Sequence, residues 1–200
     1  CLKCHLGFTA HSAPGEEGSL DFRRLKLSSI IVLVWLLALS SFAAEPTPAM
    51  LQNVGIEPRL GEVIPLELTF TNEAGEGVPL QTYFDGKRPV ILTLVYYECP
   101  NLCNYLLNGA TEGFKKMVWT AGKEFQIVTV SIDPKETSTL ASKKKVAYLK
   151  EYGRGEEGWH FLTGTEENIQ KLAAAVGFRY AYDEEIKQYA HAAGLFILTP

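Results

Sequence analysis

Two cysteines follow closely on a continuous apolar run, and this junction limits the folds open to the chain. The run is Val90–Val95, and the array Cys99-Pro100-x-x-Cys103 begins four residues after it. A short, uninterrupted apolar segment is typical of a strand that is buried on both faces, as in a parallel sheet covered by helices. Pro100 suits the first position of a helix, where its missing N–H costs little. The sequence therefore predicts a strand that turns, at the cysteines, into a helix.

The rest of the chain extends this alternation of strand and helix. A hairpin is expected from strands at 63–70 and 78–84, ahead of the cysteine corner. After the corner we expect a helix to about residue 121, a strand at 125–132 and a helix from Thr137 or Ser138 to about 152. A short strand at 159–163 should follow, and then a helix capped by Thr165 and closed by Gly177. The chain should end in two antiparallel edge strands, at 178–182 and 194–198, joined through 183–191.

A strand–helix–strand crossover produces a parallel core with helices on both faces. With two cysteines at a strand-to-helix corner, this order predicts an α/β fold, a thioredoxin-like three-layer sandwich with an added N-terminal β-hairpin.

The segment 23–44 has the pattern of an export signal. Arg23, Arg24 and Lys26 precede an apolar run that ends in small residues near Ala43, which predicts either a cleaved secretory signal or a retained membrane anchor. Both alternatives export the remainder to the bacterial periplasm, and the second attaches it to the inner membrane. Residues 45–60 are expected to be a linker, and 61–200 the folded domain.

Both ends of the chain have unusual features. Cys1-Leu2-Lys3-Cys4-His5 matches the attachment motif for c-type haem, but a segment ahead of a secretory signal stays in the cytoplasm, where such haem is not attached. We therefore interpret residues 1–22 as non-native or out-of-frame sequence without haem. The last residues, 194–200, predict a strand that stops where a turn should begin, so we expect a domain truncated at its C-terminus.

Charge and cysteine content limit the classes of function that this chain can have. The net charge is −4, with no basic patch of the kind that binds nucleic acid. Cys99 and Cys103 are the only cysteines in the exported part, and they are too close in sequence to staple distant segments. In an oxidising compartment such a pair is more typical of catalysis or metal binding than of structure.

Thiols at i and i+4 lie on one face of a helix, close enough to share a metal ion or to form a disulfide between Cys99 and Cys103. Among exported metals, thiolates favour Cu(I). His191 is the candidate third ligand, because the loop that enters the last strand of such a sheet lies beside the cysteine corner. Asp133 follows the neighbouring strand, at the sheet edge where ligands bind, and either approaches the site or serves as a turn residue. His160 is expected to be structural.

The alternative is redox chemistry without a metal. Cys99 would then be the attacking thiolate at a helix N-terminus and Cys103 the resolving thiol, although three residues separate them where oxidoreductases usually have two. A peroxidase on the same fold is a third hypothesis, but no arginine near Cys99 in the sequence is suited to activate a peroxide.

Four motifs, in this order and spacing, resemble the Sco/SenC family over about residues 55–200. They are Val95-Tyr96-Tyr97-Glu98-Cys99-Pro100-Asn101-Leu102-Cys103, Val130-Ser131-Ile132-Asp133-Pro134-Lys135-Glu136-Thr137, Gly158-Trp159-His160-Phe161-Leu162-Thr163-Gly164 and Tyr189-Ala190-His191-Ala192. The resemblance implies a thioredoxin-like fold with an added hairpin, and one copper per chain, Cu(I) or Cu(II), bound by Cys99, Cys103 and His191.

The resemblance also implies a role in assembling the binuclear copper centre of cytochrome c oxidase. The expected function is that of a metallochaperone, and the alternative is a thiol–disulfide reductase for the cysteines of that centre. The implied partners are the copper-bearing subunit of the oxidase and either a copper donor protein or a thiol reductant.

Overall fold

The computed structural model describes residues 52–100 and 102–200. Its strands, numbered in chain order, are β1 (Gly55–Ile56), β2 (Thr69–Thr71), β3 (Gly77–Pro79), β4 (Val90–Val95), β5 (Gln126–Ser131), β6 (Trp159–Leu162), β7 (Phe178–Asp183), β8 (Gln188–His191) and β9 (Phe196–Leu198). Its α-helices are α1 (Leu102–Lys116), α2 (Ser138–Tyr152) and α3 (Glu166–Ala175). Short 3-10 helices lie at Leu80–Tyr83 and Glu156–Gly158.

The central sheet has the strand order β6-β5-β4-β9. β4, β5 and β6 run parallel, and β9 pairs antiparallel with β4. All six side chains of β5 are buried, and successive side chains of a strand point to opposite faces, so both faces of the sheet are covered. This confirms the thioredoxin-like α/β fold expected from the sequence.

α2 and α3 begin and end at the residues that the sequence indicated, whereas α1, expected to reach about residue 121, ends at Lys116. The side chain of Thr137 accepts a hydrogen bond from the N–H of Leu140 at the start of α2, and Gly153 ends that helix in the left-handed conformation, with φ 70°. Thr165 caps α3 in the same way. These are the expected capping contacts for unpaired N–H and C=O groups at helix ends.

The N-terminal hairpin is shorter than predicted. Its paired residues are limited to β2 and β3, and the segment that follows β3 is a 3-10 helix at Leu80–Tyr83. Pro65 has no N–H to donate to a ladder, which limits the first strand. Beyond β3 the 3-10 helix still bonds to the first segment, since the N–H groups of Leu80 and Gln81 donate to the carbonyls of Leu68 (2.8 Å) and Leu66 (2.9 Å). Gly55 and Ile56, which fall within the segment expected to be a linker, pair with β7.

The prediction for the last strands was wrong in its pairing. The strands expected at 178–182 and 194–198 do not pair with each other. β7 pairs with β8, which the sequence reading had assigned to a connection, and β9 pairs with β4. Asp183 explains the tight turn between β7 and β8, because its carboxylate accepts the N–H groups of Glu185 and Ile186.

Several sequence predictions fall on residues 1–51, outside the described part of the chain. These are the haem-type motif, the signal or anchor at 23–44 and the first part of the linker. Among the residues that are described, no helix is both long enough and apolar enough to cross a membrane.

Candidate metal centre

The cysteine corner is built by a turn at the end of β4. The N–H of Cys99 donates to the carbonyl of Tyr96 (3.3 Å), which closes a β-turn with Tyr97 and Glu98 at its centre. Cys103 lies in the first turn of α1, and its N–H donates to Cys99 Sγ (3.4 Å). The Asn104 amide donates to the carbonyl of Cys99 (3.0 Å). Strand, turn and helix therefore fix both thiols on the same side of the corner.

His191 reaches the corner from a distant part of the chain. It is the last residue of β8, where it lies opposite Tyr180 of β7, and its Nε2 atom is 3.0 Å from Cys103 Sγ. The ligand atoms of Cys99, Cys103 and His191 all lie within 4.8 Å of one another. The structure thus brings together the three residues that the sequence proposed as ligands, although His191 ends a strand and does not lie in a loop.

One hydrogen bond sets the tautomer of His191. Its Nδ1 atom is 2.7 Å from the carbonyl oxygen of Ala192, and a carbonyl oxygen only accepts, so Nδ1 carries the proton. The lone pair of the neutral ring is then on Nε2, the atom that faces Cys103. A backbone partner on the other ring nitrogen is the usual arrangement for a metal-binding histidine.

Burial controls the electrostatics of the centre. The exposed fractions are 6% for Cys99, 2% for Cys103 and 7% for His191. Burial raises the pKa of the Cys103 thiol well above its usual range, although the N–H of Tyr96 (3.5 Å from Cys103 Sγ) opposes this. Burial also lowers the pKa of His191, opposed by its bond to Ala192. Without a metal, the neutral forms of both groups are therefore favoured.

Aromatic side chains surround the histidine. The ring of Tyr96 meets that of His191 edge-on at 5.8 Å, and the ring of Phe178 lies 6.0 Å from it. Tyr96 is buried, and its pKa is raised first by burial and then by Cys99. The sequence reading did not assign Tyr96 to the site, although its position three residues before Cys99 was a signal.

The donor set fits a soft monovalent metal. Two thiolate sulfurs and one imidazole nitrogen suit Cu(I), and the buried, partly aromatic surroundings exclude water from the ligands. Neither cysteine forms a disulfide in this structure. The same two sulfurs are nevertheless near enough for thiol chemistry, so the predicted Cys99–Cys103 disulfide stays a prediction.

Asp133 occupies a turn beside the corner. Its carboxylate accepts the N–H of Lys135 (2.9 Å), as expected for a turn residue, and its role beside the metal stays a prediction. Glu136, from the same motif, makes the contact with the corner instead, through the N–H groups of Tyr97 and Glu98. The ring of His160 packs at a tilt against that of Tyr83, with 4.5 Å between centroids, in agreement with the structural role expected for it.

The fold and the centre define a class of protein: a thioredoxin-like domain with a buried Cys-x-x-x-Cys and histidine site able to hold one metal ion. The sequence profile of the SCO1/SenC family matches residues 58–200. This chain belongs to that family. A comparison with functionally curated protein sequences finds no match.

Several solved structures are similar to this chain. A protein from Aquifex aeolicus VF5, provisionally assigned to electron transfer, is 26% identical, with a TM-score of 0.58 over 70% of this chain and 78% of that one. BsSco, a Sco-family protein with a disulfide switch, is 21% identical, with a TM-score of 0.52 over 72% and 80% of the two chains. ScoI of Arabidopsis thaliana, solved with copper bound, is 20% identical, with a TM-score of 0.50 over 66% and 78%.

Proposed function

We propose that this protein is a copper metallochaperone, which holds Cu(I) and delivers it to the binuclear copper centre of cytochrome c oxidase. The observation that carries the proposal is the convergence of Cys99 Sγ, Cys103 Sγ and His191 Nε2 within 4.8 Å. Membership of the SCO1/SenC family supports it. So do two similar proteins: ScoI of Arabidopsis thaliana, which binds copper, and BsSco, which belongs to a family of cytochrome c oxidase assembly proteins.

The residues of the centre have separate tasks in holding the metal. Cys99 and Cys103 give up their protons to become thiolate ligands, and His191 offers its Nε2 lone pair while Ala192 holds the ring by Nδ1. Cu(I) accepts low coordination numbers with sulfur ligands, so thiolates of the copper-bearing subunit can replace the ligands of this chain one at a time. We place this exchange in the periplasm, with the protein either released or anchored to the inner membrane.

A second function uses the same sulfurs. The contact between Cys99 Sγ and the N–H of Cys103 (3.4 Å) at the start of α1 stabilises a thiolate on Cys99. That thiolate would attack a disulfide in the oxidase subunit and form a mixed disulfide. Cys103 would then resolve it, releasing two thiols on the partner and leaving a Cys99–Cys103 disulfide for a thiol reductant to reduce. The disulfide switch of BsSco favours keeping this alternative.

The deciding experiment measures copper stoichiometry and sulfur-to-copper charge-transfer absorption of the reduced protein. Wild type should bind one copper per chain, and His191→Ala should lose stable binding. His160→Gln is the matched control, because the ring of His160 packs against Tyr83 outside the centre. This variant should bind copper as wild type does. Wild-type copper affinity in His191→Ala would show that the ligand assignment is wrong. No copper in folded, reduced wild type would make the reductase the leading function.

A further inference from the structure

A single carboxylate holds the turn that leads into Cys99. Glu136 Oε2 accepts the N–H of Tyr97 at 2.8 Å, and Glu136 Oε1 accepts the N–H of Glu98 at 2.7 Å. Tyr97 and Glu98 are the two central residues of the turn that the N–H of Cys99 closes onto Tyr96. One side chain thus binds both central amides of the turn, each with its own oxygen.

The carboxylate is itself held in place. The hydroxyl of Ser131, the last residue of β5, donates to Glu136 Oε2 and accepts the N–H of Asp133 at 3.0 Å. Residue Ser131 lies beside Val95 in the parallel pairing of β5 with β4. Glu136 therefore ties the loop after β5 to the loop after β4, across the edge of the sheet where the centre lies.

The other side of the turn is anchored in the core. The Tyr97 hydroxyl lies 2.7 Å from the carbonyl of Leu162, and the Tyr97 side chain is 2% exposed. With its side chain fixed inside and its N–H fixed by Glu136, Tyr97 has little freedom to move. Because Cys99 is only two residues further along the chain, the fixed position of Tyr97 also limits the movement of Cys99. Cys103 is held separately by the helix.

We propose that Glu136 is a positioning residue of the metal centre, which fixes the Cys99 sulfur against Cys103 and His191 by clasping the amides of Tyr97 and Glu98. Its two oxygens are bonded to the backbone amides of Tyr97 and Glu98, and it acts on Cys99 through them. Hydrogen bonds to an ionised acceptor are about twice as strong as neutral ones, so a carboxylate suits the task better than an amide. The inference rests on the proposed copper site for its functional consequence, but the clasp, meaning the two hydrogen bonds from the amides of Tyr97 and Glu98 to Glu136, can be tested without copper.

Glu136→Gln is the informative change, because it keeps the size of the side chain while placing an NH₂ group against one of the two N–H donors. Glu73→Gln is the matched control. The carboxylate of Glu73 also accepts a backbone N–H, that of Phe161 at 2.7 Å, but it does so away from the centre. Both variants lose a carboxylate-to-amide contact, so both should lose some thermal stability.

The first readout is amide hydrogen exchange in the reduced, metal-free protein. Glu136→Gln should speed exchange at Tyr97 and Glu98 by about tenfold or more, the loss expected when a strong hydrogen bond is removed, and Glu73→Gln should leave both amides unchanged. The second readout is Cu(I) affinity by chelator competition. Glu136→Gln should weaken it by about 10- to 100-fold, as loss of a supporting contact around a metal site typically does, and Glu73→Gln should not.

The outcomes separate this inference from the proposed function. Folded Glu136→Gln with wild-type amide exchange and copper affinity would overturn the clasp and leave the copper site standing. Wild type without copper affinity would remove the proposed function, while amide exchange would still test the clasp. If Glu136→Gln does not fold, Ser131→Ala decides: faster exchange at both amides with weaker copper binding supports the proposal, and unchanged values overturn it.

Discussion

Raising the pH from 6 to 8 should strengthen Cu(I) binding steeply, because the metal must displace a proton from a buried thiol. Burial raises the pKa of Cys103 above its usual range, so in the metal-free protein this thiol is protonated throughout that interval. Ligand cysteines bind as thiolates, and each proton released on binding changes the affinity by about tenfold per pH unit. Cys103 alone therefore predicts about a 100-fold gain over two pH units, or about 2.7 kcal/mol.

His191 should not alter this slope above its titration range. Its pKa is lowered by burial, so the ring is neutral at neutral pH and releases no proton when it binds the metal. The sign is the same for both groups, since protons compete with Cu(I) and never assist it. A slope steeper than one decade per pH unit would identify Cys99 as a second source of protons.

The assay is competition with a Cu(I) chelator of known pH dependence, under anaerobic conditions, at half-unit steps of pH. Proton release into weakly buffered solution at pH 7 gives an independent count, which should be at least one per copper. An affinity that stays flat between pH 6 and 8, with no proton released, would refute the reasoning, because Cys103 would then be either ionised before binding or not a ligand.

Three further predictions concern stability, each measured by denaturant unfolding of the metal-free protein. Burial lowers the pKa of His160 to about 4, so the folded state favours the neutral ring. The contribution of this neutral ring to the free energy of unfolding is complete above the unfolded pKa of about 6.5 and is lost as the pH falls towards 4, with about 2 kcal/mol lost by pH 5. His160→Gln should make this loss of stability smaller. Gly164→Ala would place a Cβ atom 2.7 Å from the ring of Phe70 and should destabilise by about 1–3 kcal/mol; an unchanged midpoint would show that the ring can move aside. Thr129→Val removes the hydroxyl that accepts the buried Trp159 Nε1–H at 2.9 Å and should cost about 1–3 kcal/mol with copper affinity unchanged, and a neutral effect would mean that the indole finds another acceptor.

Local features of the sequence were enough to predict the cysteine corner and the parallel core. The apolar run of β4 and the capping residues Thr137 and Thr165 act within a few residues, so their effect can be read from the chain itself. The pairing of β7, β8 and β9 could not be predicted in this way. Short strands take their partners from tertiary packing, and nothing in the residues of β9 distinguishes β4 from β7 as a neighbour.

The residues of the site likewise divide into those that the local sequence could predict and those that depend on tertiary structure. The location of His191 beside the cysteine corner could be predicted from its residue type and its approximate position next to a strand, even though its own strand was missed. In the motif 130–137 the sequence drew attention to Asp133, the first acidic residue after β5, whereas the structure places Glu136 on the turn before Cys99. Both carboxylates lie in one loop, and the backbone paths of this loop and of the loop before Cys99 decide which carboxylate makes the contact. Sequence spacing alone does not give those backbone paths.

The buried sulfurs are compatible with both proposed functions, and His191 is the residue that should separate them. An isolated thiolate is unfavourable in a site as dry as that of Cys103, which is 2% exposed. A bound Cu(I) ion removes this penalty by supplying the opposite charge, and a disulfide removes it by eliminating the charge altogether. Both end states are therefore accessible from the same reduced pair. A disulfide uses only the two sulfurs, however, while the proposed copper site would also use the Nε2 lone pair, which the bond of Nδ1 to the Ala192 carbonyl places towards Cys103. Replacing His191 should accordingly weaken copper binding far more than it changes thiol–disulfide exchange, and equal losses in both would contradict this division of roles.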